Sequence, residues 1–221
     1  MAIFAKDQEK IISAWEANPK KTYLCIGCNQ PLKYRRSKLQ FPHFYHPSKS
    51  SCRLEGKSKK HLSIQLEIQK RLNCAKLEVP FPAIGRIADV VWEKEKIIFE
   101  VQCSLISFEE AQMRVFEYRS LGYKVIWILD DGIFNNRRVR KSELYIRNHH
   151  GYFVKRTNFF YDQLETIQGK IRIKRGKKIP IDLGNLCQNS FSLSPEFRKE
   201  KMRLIPRFKK TYESFFKRIL K

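Results

Sequence analysis

Ile84-Gly85-Arg86-Ile87-Ala88-Asp89-Val90-Val91-Trp92 and Ile97-Ile98-Phe99-Glu100-Val101-Gln102, joined by the polar run Glu93-Lys94-Glu95-Lys96, decide how this chain of 221 residues is read. Both segments are rich in β-branched and aromatic side chains, so both are expected as strands, and the charged link between them suits a hairpin turn. Alternation puts Glu100 and Gln102 on one face of their strand. Antiparallel pairing then brings Asp89 across toward Glu100. Two carboxylates side by side on paired strands repel each other, and the arrangement is best tolerated when they share a cation. Oxygen ligands suit magnesium, or manganese in its place, a hard ion that keeps several waters and accepts phosphate oxygens. The chemistry that fits is phosphodiester hydrolysis, with the metal polarising the phosphate and activating a water, and Gln102 orienting one or the other. The plainer alternative is that Asp89 caps a strand end and Glu100 sits on a solvated face.

The flanking sequence supplies context. Ser107-Phe108-Glu109-Glu110 is a capping box that opens a helix with Ala111, Val115, Tyr118 and Leu121 at helical spacing, and Gly122 closes it. Tyr123 to Leu129 is apolar enough for a central strand. Upstream, Ser58 to Leu72 carries Leu62, Ile64, Leu66, Ile68 and Leu72 among Lys, Gln and Glu, a pattern closer to helix than to strand. The predicted order is α-β-β-α-β, an α/β core.

The run Arg-x-Ala-Asp, then Glu-x-Gln-x-Ser-x-Ile-Ser, then Arg114 and Tyr118 on the next helix, then the Trp127-Ile128-Leu129 strand, resembles the competence protein CoiA family over roughly residues 20 to 130. The resemblance implies a restriction-endonuclease-like domain of the PD-(D/E)XK type. It makes Asp89 and Glu100 the metal-binding acids and puts Gln102 where many relatives of the wider superfamily carry a lysine. A glutamine supplies no positive charge to a transition state. The family places a Glu-Ser-x-x-His segment at the start of the first core helix. Here Glu55-Gly56-Lys57-Ser58-Lys59-Lys60-His61 matches at Ser58 and His61, while Lys57 stands in the place of the acid. Glu55 is the nearest substitute. His61 is a candidate for phosphate contact or proton transfer, against the simpler role of a hydrogen-bonding residue near a helix start. The implied setting is bacterial natural transformation, with incoming single-stranded DNA or branched recombination intermediates as substrate and recombination proteins as partners.

A second constellation is Cys25-Ile26-Gly27-Cys28 followed, after fourteen residues, by His43-Phe44-Tyr45-His46. Two thiolates and two imidazoles satisfy tetrahedral zinc, and the segments Leu32 to Tyr34 and Leu39 to Phe41 between them suit a small hairpin. Cys52 is an alternative fourth ligand in place of either histidine. The spacing is not that of a DNA-reading finger, and the segment offers no recognition helix. A redox dithiol and unrelated buried cysteines are the competing readings. The family resemblance agrees with a metal module ahead of the nuclease domain. Four protein ligands leave no open position, so such a zinc is structural.

With 45 Lys and Arg against 22 Asp and Glu, the chain carries a formal charge of +23. That points to a polyanion as partner. Residues 135–221 hold 23 basic against 7 acidic residues. They include Arg137, Arg138, Arg140 and Lys141, then Lys170, Arg172, Lys174, Arg175, Lys177 and Lys178, with Phe159, Phe160, Tyr161, Phe208, Tyr212, Phe215 and Phe216 interleaved. Basic side chains neutralise phosphates and aromatic faces stack on exposed bases, although the same aromatics also suit a small core. Nearer the carboxylates, Arg86, Arg114 and Arg119 are available for phosphate. Anionic membrane is an alternative target, with Phe208 to Leu220 as the one candidate anchor.

The sequence shows no apolar signal core and no run long enough to span a membrane, so a cytoplasmic location is expected. In that compartment six cysteines favour metal or free thiols over disulfides, with Cys74, Cys103 and Cys187 expected as small buried hydrophobes. The expected organisation is a zinc module over residues 1–54, a nuclease-like α/β core over 55–134, and a basic, partly helical region over 135–221. Two functions are open at this point: a metal-dependent deoxyribonuclease, endo or exo, and a weak or inactive nucleic-acid-binding protein on the same scaffold.

Overall fold

Alternating and helical patterns sort the described residues into two main sheets and a separate two-stranded one in the computed structural model, which describes residues 1–38, 40–49, 52, 56–135, 139–162, 164–167, 170–173 and 178–187. The first sheet is built from β1 (Phe4–Asp7), β2 (Lys10–Ser13), β3 (Tyr23–Leu24), β4 (Pro31–Ser37) and β5 (Gln40–Tyr45), in the order β2-β1-β3-β4-β5. Its core is Ala2, Ala5, Tyr23, Cys25, Leu32 and Phe44, and the expected hairpin is β4–β5.

The larger part begins with α1 (Lys59–Arg71), followed by β6 (Lys76–Phe81), β7 (Arg86–Trp92), β8 (Ile97–Gln102), α2 (Phe108–Ser120), β9 (Lys124–Asp130), α3 (Lys141–Asn148), β10 (Gly151–Lys155) and β11 (Asn158–Tyr161). A hairpin of β12 (Leu164–Ile167) and β13 (Lys170–Ile173) and the short β14 (Ile179–Pro180) complete the described strands. The seven-stranded sheet has the order β14-β11-β10-β9-β8-β7-β6, with β8, β9 and β10 parallel to one another.

Caps fix the two helices that matter most. The Ser58 hydroxyl accepts the His61 N–H (3.2 Å) at the start of α1, and Ser107 accepts the Glu110 N–H (3.0 Å) at the start of α2. After α2, Gly122 takes a φ of +82°, which closes the helix. The link between β7 and β8 is a single 3-10 turn ended by Lys96 at φ +52°, and the register sets Val90 opposite Phe99.

Alternation along β9 explains the layers. Ile126 and Ile128 pack with Leu62, Ile64 and Ile68 of α1, while Val125, Trp127 and Leu129 pack with Ala111, Val115 and Tyr118 of α2. Trp127 is fully buried at the sheet centre.

Two expectations need correction. The predicted α-β-β-α-β order lacks a strand: β6 pairs antiparallel with β7 and gives α-β-β-β-α-β. Its Glu78 and Pro80 broke the apolar pattern, and β6 tolerates Pro80 because it lies at the sheet edge. Of the two readings left open for Phe159 and Phe160, they take the core, since β11 continues the same sheet. Cys74 is exposed, in a turn with φ +63°, not a buried small hydrophobe. The seven-stranded sheet runs on through β10 and β11, across residue 134. Among the described residues no helix is long and apolar enough to cross a membrane. Phe208 to Leu220 lies outside the described residues.

Candidate active site and metal centre

The ends of β7 and β8 open into a cavity of about 430 Å³ whose wall includes Lys57, His61, Arg86, Asp89, Glu100, Gln102 and Arg114. Continuing the β7–β8 register by one residue sets Asp89 beside Glu100. Each acid is held by a different helix. Oδ1 of Asp89 accepts from His61 Nε2 (3.1 Å) and Gln65 Nε2 (2.9 Å) of α1 and lies 2.8 Å from Lys57 Nζ, while Oδ2 accepts the Val101 N–H (2.9 Å). On the α2 side, Arg114 Nη1 donates to Glu100 Oε2 (2.6 Å) and the Tyr118 hydroxyl donates to Oε1 (2.9 Å). Asp89 thus binds the backbone of the adjoining strand at Val101 while facing the cavity, and Glu100, 2 % exposed, does not sit on the solvated face of the plainer reading.

The two carboxylates titrate in opposite directions. Burial works against the Asp89 charge, but the His61 and Lys57 side chains outweigh it and hold the carboxyl well below the usual range. For Glu100 burial prevails: its pKa is raised despite Arg114, and the Asp89 charge adds to the rise. That residual repulsion is what a shared cation relieves. Beside Asp89, Gln65 is fully buried and its Oε1 has no hydrogen-bond partner. Two buried carboxylates lining one cavity are an oxygen-donor pair that fits a hard divalent cation.

Other residues singled out in the sequence take varied places. The Gln102 amide donates to Ser104 O (2.8 Å) and is tied to the following loop. Arg86, expected on phosphate, is buried, with Nε on Glu117 (2.5 Å) and Nη1 on Glu110 (2.6 Å). Arg114 also reaches Glu110, so these two arginines and three glutamates form a continuous ladder behind Glu100. Arg119 is exposed on α2. Lys178 pairs with Asp131 (3.0 Å) over the Phe160 ring, and Lys170 and Arg172 lie on β13. Glu55, Lys174, Arg175 and Lys177 lie outside the described residues.

Sequence reasoning missed Gln65 and Glu78, and read Lys57 only as the loss of an acid. Gln65 follows His61 by four residues, the spacing that aligns side chains on one helix face, so the pair was findable. Glu78 carried no signal, since its importance comes from contacts far away in the chain.

In the N-terminal part Cys25, Cys28, His46 and Cys52 come together, their ligand atoms all within 4.8 Å of one another. Cys25 Sγ lies 3.5 Å from Cys52 Sγ, and Cys28 Sγ lies 3.3 Å from His46 Nε2. The three cysteines are free of disulfides. This Cys3His cluster has the donor set of a structural zinc site and could bind the metal. His43 is not part of it: its Nδ1 is 3.1 Å from Phe41 O and the ring is buried. In an extended chain residues three apart point to opposite faces, which separates His43 from His46. Cys52 takes the fourth corner.

A family model described as competence protein CoiA, nuclease-like domain, matches residues 52–170, and one described as competence protein CoiA, N-terminal domain, matches residues 5–55. The chain belongs to the competence protein CoiA family. The two CoiA segments overlap at residues 52–55, so Cys52 falls within both. The CoiA nuclease-like segment contains Asp89, Glu100 and every side chain that contacts them. Nothing matches among curated proteins or among solved structures.

Proposed function

We propose that this CoiA-family chain is a metal-dependent nuclease acting on DNA, with Asp89 and Glu100 as the acids that hold magnesium or manganese. The observation that carries the reading is the convergence of these two buried carboxylates on one cavity within a CoiA nuclease-like segment. When bound, the divalent ion supplies Lewis-acid polarisation of the phosphate and a lower pKa for the attacking water. The chain's own residues do the remaining work. The α1 contacts and the Val101 N–H orient Asp89; Arg114 and Tyr118 orient Glu100. His61, with Nε2 at the cavity wall, holds or passes a proton there. The Cys3His cluster is proposed as structural zinc that stabilises the N-terminal sheet. Restriction-endonuclease-like architecture, a cytoplasmic location, and action on incoming single-stranded or branched DNA with recombination proteins belong to the same proposal. The excess of basic residues supports a polyanionic substrate.

One observation favours the second reading, binding without cutting: Gln102 brings no charge to the site and its amide is tied to Ser104. The experiment that separates the two incubates the purified chain with labelled single-stranded, duplex and branched DNA in magnesium, manganese or chelator, beside Asp89→Ala and Glu100→Ala. Metal-dependent cutting lost in both variants is expected. Binding retained throughout, with no cutting even at high protein, overturns the enzyme reading.

A further inference from the structure

We propose that Lys57 is a catalytic residue of this site, its ammonium contacting the scissile phosphate, and that Glu78 is the residue that positions it. The inference rests on the nuclease reading above. Lys57 immediately precedes the cap of α1, and its side chain, 9 % exposed, enters the cavity wall. Nζ lies 2.8 Å from Asp89 Oδ1 and 3.2 Å from Glu78 Oε1. Among the described residues these are its acceptors, and an ammonium has three N–H donors, so one is left for an oxygen in the cavity.

Glu78 is held in place in turn. Oε2 accepts the backbone N–H groups of Ile3 (2.9 Å) and Phe4 (3.3 Å), and the residue sits buried at φ +50°, a left-handed conformation that costs a non-glycine residue energy. A strained, fully hydrogen-bonded acid whose other oxygen faces Lys57 is a fixed support. Gln102, on the same face of β8 as Glu100, brings no charge to the cavity and its amide is engaged elsewhere. Arg86 and Arg114 are each held between two glutamates, and none of those contacts is to Asp89. Lys57 is thus, among the described residues, the lysine whose ammonium reaches both Asp89 and the cavity that would take the phosphate.

In hydrolysis the water oxygen forms a bond to phosphorus as the P–O ester bond breaks. The water gives up one proton to a base or solvent, and the leaving alkoxide takes one from solvent. Negative charge builds on the non-bridging oxygens meanwhile, and Lys57, keeping its own proton, stabilises it in a site shielded from water.

The test uses the full chain with Lys57→Gln, Lys57→Arg and Glu78→Gln, thermal melting confirming that each is folded. In chelator, a labelled single-stranded oligonucleotide is titrated over a range of salt. Loss of one phosphate contact lowers the slope of log K against log salt by about 0.7 in Lys57→Gln, and Lys57→Arg restores it. In magnesium, Lys57→Gln lowers kcat by about 100-fold with little change in KM, Lys57→Arg recovers part, and Glu78→Gln lowers kcat less. An unchanged salt slope, or a Lys57→Gln variant that cuts as well as the parent, overturns the inference while loss of cutting in Asp89→Ala keeps the site reading standing. Cutting that survives Asp89→Ala, or is absent from the parent, instead overturns the site reading and the catalytic role of Lys57 with it.

Discussion

Arg114 Nη1 on α2 lies 2.6 Å from Glu100 Oε2 on β8, an ion pair that ties the outer helix to the strand carrying the candidate ligand. Replacing Arg114 with Met leaves a buried carboxylate without its cation, a loss of about 3 kcal/mol at neutral pH. The sign with pH is fixed. The Glu100 pKa is already raised by burial, and removing Arg114 raises it further. A carboxyl that binds protons more tightly when folded costs stability as it ionises, so the deficit is largest at high pH and shrinks as pH falls. Urea denaturation at neutral and mildly acid pH measures it.

The Cys3His cluster makes a choice between two histidines and a cysteine testable. Cys52→Ser is expected to bind well under one equivalent of zinc, whereas His43→Gln retains about one. Elemental analysis of the purified variants reads the difference. Burial pushes the Cys25 thiol up to about 12, and zinc must displace that proton, so uptake strengthens as pH rises.

His150, between α3 and β10, is lowered to about 4, by burial first and then by Lys124 and Arg119. The folded chain therefore binds this proton more weakly than the unfolded chain. Stability is full above the ordinary histidine value of 6.5 and declines as pH falls from there toward about 4. His150→Asn, which tolerates the φ of +63° at this position, is expected to flatten that part of the profile in denaturant midpoints taken across the window.

Two glycines separate steric from conformational cost. A Cβ on Gly151 would meet Ile146 O at 2.7 Å and its carbonyl carbon at 2.9 Å, so Gly151→Ala forces α3 away from β10 and costs about 1–3 kcal/mol. At Gly122 nothing lies within 4 Å, and Gly122→Ala meets only the left-handed backbone penalty, about 1 kcal/mol. Thermal melting should rank the two variants in that order.

The elements around Asp89 and Glu100 were legible because their signals are local: apolar alternation in β7, β8 and β9, a Ser cap at each helix, a glycine at the end of α2. What the sequence hid was long-range. Lys57 reads as a missing acid until Glu78, twenty-one residues on, is seen beside it. Arg86 reads as a phosphate ligand until Glu110 and Glu117 take up its guanidinium. Charge alone does not say whether a basic side chain faces solvent or another side chain, and contacts between residues distant in the chain decided it here. The fourth zinc ligand turned on strand geometry, which a count of spacings does not carry.

Trp127, fully buried at the middle of the seven-stranded sheet, has an indole N–H without an acceptor among the described residues, whereas Trp15, beside the five-stranded sheet, is 48 % exposed. A third tryptophan, Trp92, is half-buried at the end of β7, so the separation needs Trp92→Phe. In that variant the shorter-wavelength emission reports Trp127 and the longer-wavelength emission, quenched by iodide, reports Trp15, so the surroundings of the two can be followed separately in one sample.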